Sequence, residues 1–190
     1  MNDNKQIIIG ITGTLGAGKG TVVDYLKTKG FKHYSVRNFL MEEIKKRNLP
    51  INRDSMVIVA NDLREKKYPG YIVECLYQKA KENYDNAIIE SIRNLGEIET
   101  LKNKGNFYLF AVDADPKIRY SRIVGRKSET DKISFEKFLE DEKKEINNTE
   151  AHTQNLSACI KKADFLLDNN TTLDDLHIQI EKILEKIIAD

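Results

Sequence analysis

Nine consecutive residues carry the strongest chemical signal in the chain: Gly13-Thr14-Leu15-Gly16-Ala17-Gly18-Lys19-Gly20-Thr21. Two glycines separated by four residues and followed at once by lysine have the spacing of a phosphate loop, or P-loop. The chemistry dictates the composition. Backbone N–H groups must converge on phosphate oxygens, so side chains are missing where the chain turns tightly. A helix opening after the loop directs its positive end at the same anion. Lys19 adds a mobile positive charge for the β- and γ-phosphates. A glycine-rich turn with a chance lysine is the plainer alternative; the apolar run before the loop and the helical pattern after it argue against that. The hydroxyl residue that usually follows the lysine is displaced by one position: Gly20 stands there and Thr21 comes next. Thr21 is therefore expected on the α- or β-phosphate, with Mg²⁺ arriving with ATP and held mainly by phosphates and water.

Moving a phosphoryl group between two polyanions needs dense positive charge in a site that excludes water. Arg119, Arg122, Arg126 and Lys127 supply it. The three arginines recur at helical spacing and so share one face, although a solvated basic face has the same pattern. Upstream, Asn86-Ala87-Ile88-Ile89-Glu90-Ser91 ends an apolar run on a carboxylate, and Arg93 follows. Open α/β sheets bind ligands at the carboxyl ends of their strands. Glu90 is expected there to orient a Mg²⁺-bound water or the acceptor, and Arg93 to clamp the acceptor's phosphate with its planar fork. A salt bridge between the two is the structural alternative.

These residues need a scaffold. At 190 residues the chain fits one domain with an inserted part. Short apolar runs alternate with longer charged segments, the mark of strands joined by helices. Residues 7–12 read as a strand buried on both faces, and a helix runs from the loop to Gly30. Residues 31–35, 87–89, 107–112 and 165–167 read as four more strands. Helices are expected around Phe39, Leu40, Ile44 and Leu49 (ending near Pro50), over 54–84 with a break at Pro69-Gly70, and around Ile98 and Leu101. Others are expected over 116–125, where Pro116 suits a first helical position, over 134–146, and over 173–188. The sum is an α/β three-layer sandwich around a parallel, five-stranded sheet, with residues 1–190 as one domain.

Composition narrows the function classes. Lys and Arg total 31 and Asp and Glu 30, a net charge of +1. That balance lacks the basic footprint of a dedicated nucleic-acid binder. No apolar run approaches the roughly 18 residues of a membrane span. The polar start, Met1-Asn2-Asp3-Asn4-Lys5-Gln6, lacks the features of a signal peptide, so a cytoplasmic protein is expected. Cys75 and Cys159 have no metal-type spacing and read as reduced, buried thiols. His33, His152 and His177 form no local pattern and receive no role.

The Gly18-Lys19-Gly20-Thr21 form of the loop resembles adenylate kinase and its relatives among the nucleoside monophosphate kinases. The run Ser121-Arg122-Ile123-Val124-Gly125-Arg126-Lys127 is similar to the entry of the adenylate kinase lid. This resemblance implies that Arg122 and Arg126 grip ATP and the transferring phosphoryl group. It also implies a helical acceptor-binding insertion over about 37–84 and a closing lid over about 126–150. The stretch from Glu90 through Ile92-Arg93-Asn94 to Glu99 resembles archaeal adenylate-kinase-related proteins, a branch close to dephospho-CoA kinase. There the strand ends Asp-Gly-Ile-Arg, where this chain has Glu90 and Ser91. The segment from Ala163-Asp164 to Asn169-Asn170-Thr171-Thr172-Leu173 looks like the C-terminal element of the same kinases, which implies base contacts for Asn169, Asn170 and Thr171. A turn and helix cap is an equal reading of those residues.

The acceptor is less legible. Adenylate kinases follow the second strand with a Thr-Gly-Asp-x-Leu-Arg-like element whose arginine holds the AMP phosphate. Here Tyr34-Ser35-Val36-Arg37-Asn38-Phe39-Leu40-Met41 puts Met41 at the arginine's place. Arg37 or Arg64 is expected to supply the missing charge, and Tyr71 to stack on a base, although tyrosines on amphipathic helices more often pack. The acidic Asp-x-Asp-like element of ordinary dephospho-CoA kinases is also missing. The expected function is ATP-dependent transfer to a small phosphorylated acceptor, a nucleoside or deoxynucleoside monophosphate. Lys19, Glu90, Arg93, Arg122 and Arg126 would carry the catalysis, with Thr21 and Glu90 reaching Mg²⁺ through water. Dephospho-CoA kinase is the alternative among enzymes. A nucleotide-binding regulatory module without turnover, and an ATPase acting on a macromolecule, are the alternatives outside that class.

Overall fold

Three isoleucines within four positions, interrupted by a glycine, become β1 (Ile8–Gly13), buried along its whole length. The computed structural model describes residues 6–125, 134–146 and 154–189. It sets β1 at the centre of a sheet completed by β2 (Lys32–Ser35), β3 (Ala87–Glu90), β4 (Phe107–Asp113) and β5 (Phe165–Asp168). Among the described residues the order is β2-β3-β1-β4-β5, and every pairing is parallel. The chain leaves β1 toward one edge of the sheet and β4 toward the other. The carboxyl ends of these neighbours are thus a topological switch point, where such sheets seat ligands. Register brings the candidate residues to that edge: Ile11 and Ser35 each pair with Glu90, Gly13 with Val112, and Asp113 with Asp168.

Apolar stripes at helical spacing then cover both faces. On one, α1 (Lys19–Thr28) and the C-terminal helix (Leu173–Ala189) pack Val22, Leu26, Leu176, Ile180 and Leu184 against Ile9, Ile11 and Phe110. On the other lie α2 (Val36–Lys46), α3 (Arg53–Lys66), α4 (Tyr71–Glu82) and α5 (Leu95–Lys102). Their starts are chemically marked: Ser35 and Asn52 accept from the N–H three residues on, and Asn94 with Glu97 forms a capping box. The break between α3 and α4 falls at Pro69-Gly70, as expected. α2 stops earlier than expected, because Asn48 takes a left-handed backbone (φ 55°) and Leu49 N–H turns back to the Ile44 carbonyl.

The remaining helices are α6 (Pro116–Gly125), α7 (Phe135–Ile146), α8 (Leu156–Lys161) and the C-terminal one, α9. α8 is an addition to the sequence reading. Its six residues show too little periodicity to be seen, and its signal is Asn155, whose side chain accepts from Ala158 N–H. Of the expected lid, α7 is described: Phe135 and Phe138 cluster with Tyr120 of α6. Residues 126–133 and 147–150 lie outside the described residues. Among the described residues no helix is long and apolar enough to cross a membrane.

Candidate functional site

The phosphate loop is held open by backbone that only glycine adopts easily. Gly13 has φ 138°, and a side chain there would strike the Val112 carbonyl. Gly18, at the mouth of α1, has φ 102°, and a side chain would displace the Asn169 amide. Lys19 curls back over the loop, its Nζ 2.8 Å from the carbonyl oxygens of both Gly13 and Thr14. Neighbouring strand ends brace the turn. Thr14 donates to Asp113 at 2.8 Å, and the buried Asn169 amide donates to the Ala17 carbonyl at 2.7 Å. The cradle is therefore built before any anion arrives.

Arg122 stands over it. One guanidinium nitrogen, Nη2, donates to the Asn169 carbonyl at 2.9 Å. The other, Nη1, is buried with no hydrogen-bond partner among the described residues. An orphaned buried donor on a cation is costly, and its presence points to a ligand that completes it. A cavity of about 340 Å³ lies there, lined by Gly16, Gly18, Thr21, Arg122, Asn169 and Thr171, with Leu173 at its edge.

The expected row of three arginines is only partly realised. Arg119 is buried, donates to the Ala114 carbonyl at 2.7 Å, pairs with Glu142 of α7 and lies over the Phe138 ring. Its charge holds α7 onto α6. Arg126 lies outside the described residues. The three polar residues after β5 also divide. Asn169 braces the loop and Thr171 faces the cavity, whereas Asn170 is exposed and ties Asp115 N–H to Asp168 in a turn.

On the other side of β1, Glu90 ends β3 with its Oε2 3.1 Å from Nε2 of His33 on β2; each side chain is about a quarter exposed. The hydrogen bond from His33, helped by the charges of His33 and Lys19, holds the Glu90 carboxyl below the usual carboxylate range despite its burial. Sequence reading passed over His33. The available signal was register: His33 pairs with Ile88, so it shares a sheet face with Glu90 two residues on. Ser91 follows in the left-handed region (φ 70°), its hydroxyl 3.3 Å from Glu90 Oε1. That conformation costs an L-residue roughly 1–2 kcal/mol, more than the 0.4–1 kcal/mol by which glycine's extra freedom favours the unfolded chain. Ser91→Gly should therefore stabilise the fold by up to about 1 kcal/mol, read as a shifted urea midpoint at constant slope.

The acceptor-side cations fare unequally. Arg93 donates to Gln154 at 2.8 Å and accepts Asn155 N–H on its carbonyl, tying the β3–α5 turn to the start of α8. Arg37 is exposed in the first turn of α2, beside the ends of β2 and β3. Arg64 corrects the expectation. It is buried and pairs through Nε and Nη2 with the fully buried Glu97, so its charge is engaged between α3 and α5. Tyr71 is half-buried with its ring edge to Tyr68, in keeping with a packing role. Among the described residues no group of three or more His, Cys, Asp or Glu side chains could hold a metal. Oxygen donors near the loop include the Asp113 carboxylate, which accepts from Thr14, and the Thr21 hydroxyl, while the Glu90 carboxylate ends the strand beside β1; such oxygens suit a cation carried in by phosphates.

The AAA domain family model matches residues 9–152. A UPF0200 protein of Sulfurisphaera tokodaii is 29% identical over 182 residues, covering 95% of this chain and 97% of that one. Among solved structures, TT1252 from Thermus thermophilus matches with a TM-score of 0.61 at 20% identity, over 95% of this chain and 97% of that one. Dephospho-CoA kinase from Campylobacter jejuni matches with a TM-score of 0.51 at 17% identity, over 96% and 97%. The fold is that of the P-loop kinases.

Proposed function

The chain belongs to the AAA domain family, and from that premise we propose that it is an ATP-dependent phosphotransferase acting on a nucleotide-like small molecule. The observation that carries this reading is the buried Nη1 of Arg122, without a partner among the described residues, above a preformed phosphate loop. A structural arginine would be satisfied, as Arg119 is by Glu142 and Ala114.

The roles follow from placement. Loop N–H groups and Lys19 hold the β- and γ-phosphates, and Arg122 lays its planar guanidinium along the nucleotide in the cavity. Asn169 fixes both the loop and Arg122 through separate atoms. The resemblance to the adenylate kinase lid assigns further positive charge to Arg126. Mg²⁺ accompanying ATP would neutralise charge on the phosphates, with Thr21 and Glu90 as the protein oxygens assigned to it, reached through water. No covalent intermediate is required, because positioning and charge neutralisation carry phosphoryl transfer. On the acceptor side Arg37 and Arg93 supply charge. A nucleoside monophosphate would do without Arg64, which is engaged with Glu97. That engagement, together with the likeness to a dephospho-CoA kinase, favours dephospho-CoA as the second reading.

Arg122→Ala tests the site. Losing a charge-assisted bond of about 1.5–3 kcal/mol should weaken ATP binding on the order of 10- to 100-fold in a calorimetric titration, with the fold intact by circular dichroism. Equal affinity in both proteins would remove the basis of the proposal. A regulatory module would bind ATP with this dependence yet phosphorylate no acceptor in a panel of monophosphates and dephospho-CoA.

A further inference from the structure

We infer that Glu142 is a positioning residue for the proposed transfer: through Arg119 it couples the seating of α7 to the shape of the phosphate loop. This deepens the phosphotransferase reading and rests on it for the placement of ATP at that loop. Arg119 reaches three consecutive loop residues. Its main chain packs on Gly16, where a side chain would come within 2.6 Å of the Arg119 carbonyl oxygen. Its Nη1 donates to the Leu15 carbonyl at 3.4 Å. Its Nε lies 3.7 Å from Asp113 Oδ1, the oxygen that accepts from the Thr14 hydroxyl at 2.8 Å. On its other side the guanidinium meets α7. Glu142 accepts from Nη1 and, at 3.1 Å, from Nη2, and the ring of the buried Phe138 lies 5.4 Å away. Nη1 is shared between the loop and α7.

The coupling follows from the shape of the cation. A guanidinium is flat, and its N–H groups point in fixed directions. Two bonds to Glu142 and one from Nε to the Ala114 carbonyl set its plane, and that plane aims Nη1 at Leu15. Without the Glu142 carboxylate the buried charge loses the partner that sets this plane, and its hold on the loop goes with it. A tie between α6 and α7 alone would need the Glu142 pair and nothing more; the contacts to Leu15 and Asp113 extend it to the loop. If the seated α7 favours the loop shape that grips a triphosphate, then a bound triphosphate favours the seated α7 by the same factor. Phosphoryl transfer gains from that link, because it needs its charges in place and water excluded at the same moment.

Hydrogen exchange read by mass spectrometry, with and without ATP, tests the link. In the native protein ATP should slow exchange across α7 by at least about fivefold, and Glu142→Gln, which keeps the shape and removes the charge, should weaken ATP binding by at least about the same factor. Glu142→Asp, which keeps the carboxylate, should recover part of the lost affinity. Arg119→Lys is the second variant. Its ammonium is a point charge that can pair with Glu142 but lacks the fork that also reaches Leu15. Without ATP it should protect α7 as the native protein does, yet it should lose the further protection that ATP brings. Native ATP affinity in Glu142→Gln, exchange in α7 that ignores ATP in the native protein, or ATP protection that survives in Arg119→Lys would each overturn the inference while the phosphotransferase reading stands. Failure of the native protein to bind ATP would bring down that reading, and this inference with it.

Discussion

Lys19→Ala should nearly erase the stabilisation that ATP confers. A ligand present at 100 times its dissociation constant stabilises the native state by about 2.7 kcal/mol. The ammonium contributes charge-assisted bonds of about 1.5–3 kcal/mol to the phosphates. A 100-fold loss of affinity would cut the stabilisation at the same ATP concentration to about 0.4 kcal/mol, a shift close to the resolution of a thermal melt. Turnover should fall further, on the order of 10³-fold, because the same charge meets the negative charge on the transferring group in the transition state. The unliganded protein provides the control. Lys19 there bridges the carbonyls of Gly13 and Thr14, so its removal should cost the resting fold only about 1 kcal/mol. A variant that is folded and as strongly stabilised by ATP as the native chain would place the nucleotide elsewhere.

Lys19 was legible in the sequence because a phosphate loop is a local device: nine adjacent residues contain both the turn and its charge. The buried strands were legible for a similar reason, since Ile8, Ile9 and Ile11, or Leu109 and Phe110, need no partner to announce a buried element. What escaped was decided across the chain. Arg119 and Arg122 lie three apart on one helix, and spacing treats them alike. Only the position of Glu142 on α7 makes the first a packing residue, and only Asn169 after β5 turns the second toward the loop. His33 has no chemical neighbour in its own segment, because its partner is 57 positions away in the chain and one strand away in the sheet. The short α8 and the early end of α2 were missed because end geometry, here Asn155 as a cap and Asn48 in a left-handed turn, sets helix limits where periodicity is weak.

The pair that most misled sequence reading also yields the largest expected effect on stability. Glu97 is fully buried and accepts four bonds: Arg64 Nε and Nη2 at 3.1 and 2.7 Å on one oxygen, and the N–H groups of Arg93 and Asn94 at 2.9 and 3.1 Å on the other. It joins α3 to the turn that carries Arg93. Glu97→Ala leaves the Arg64 charge buried and unpaired and should destabilise the fold by about 3–5 kcal/mol in urea unfolding. Replacing both partners, Arg64→Met with Glu97→Leu, removes the stranded charge. It should recover part of that loss and leave the remainder to the two orphaned N–H groups, each costing about 1 kcal/mol or more. The double variant also separates stability from function. The Arg93 turn loses its anchor while the phosphate loop, braced by Asp113 and Asn169, keeps its own, so acceptor turnover should fall while ATP affinity holds. A Glu97→Ala protein within about 1 kcal/mol of the native chain would mean that water reaches Arg64 and that the two helices are not joined through this pair.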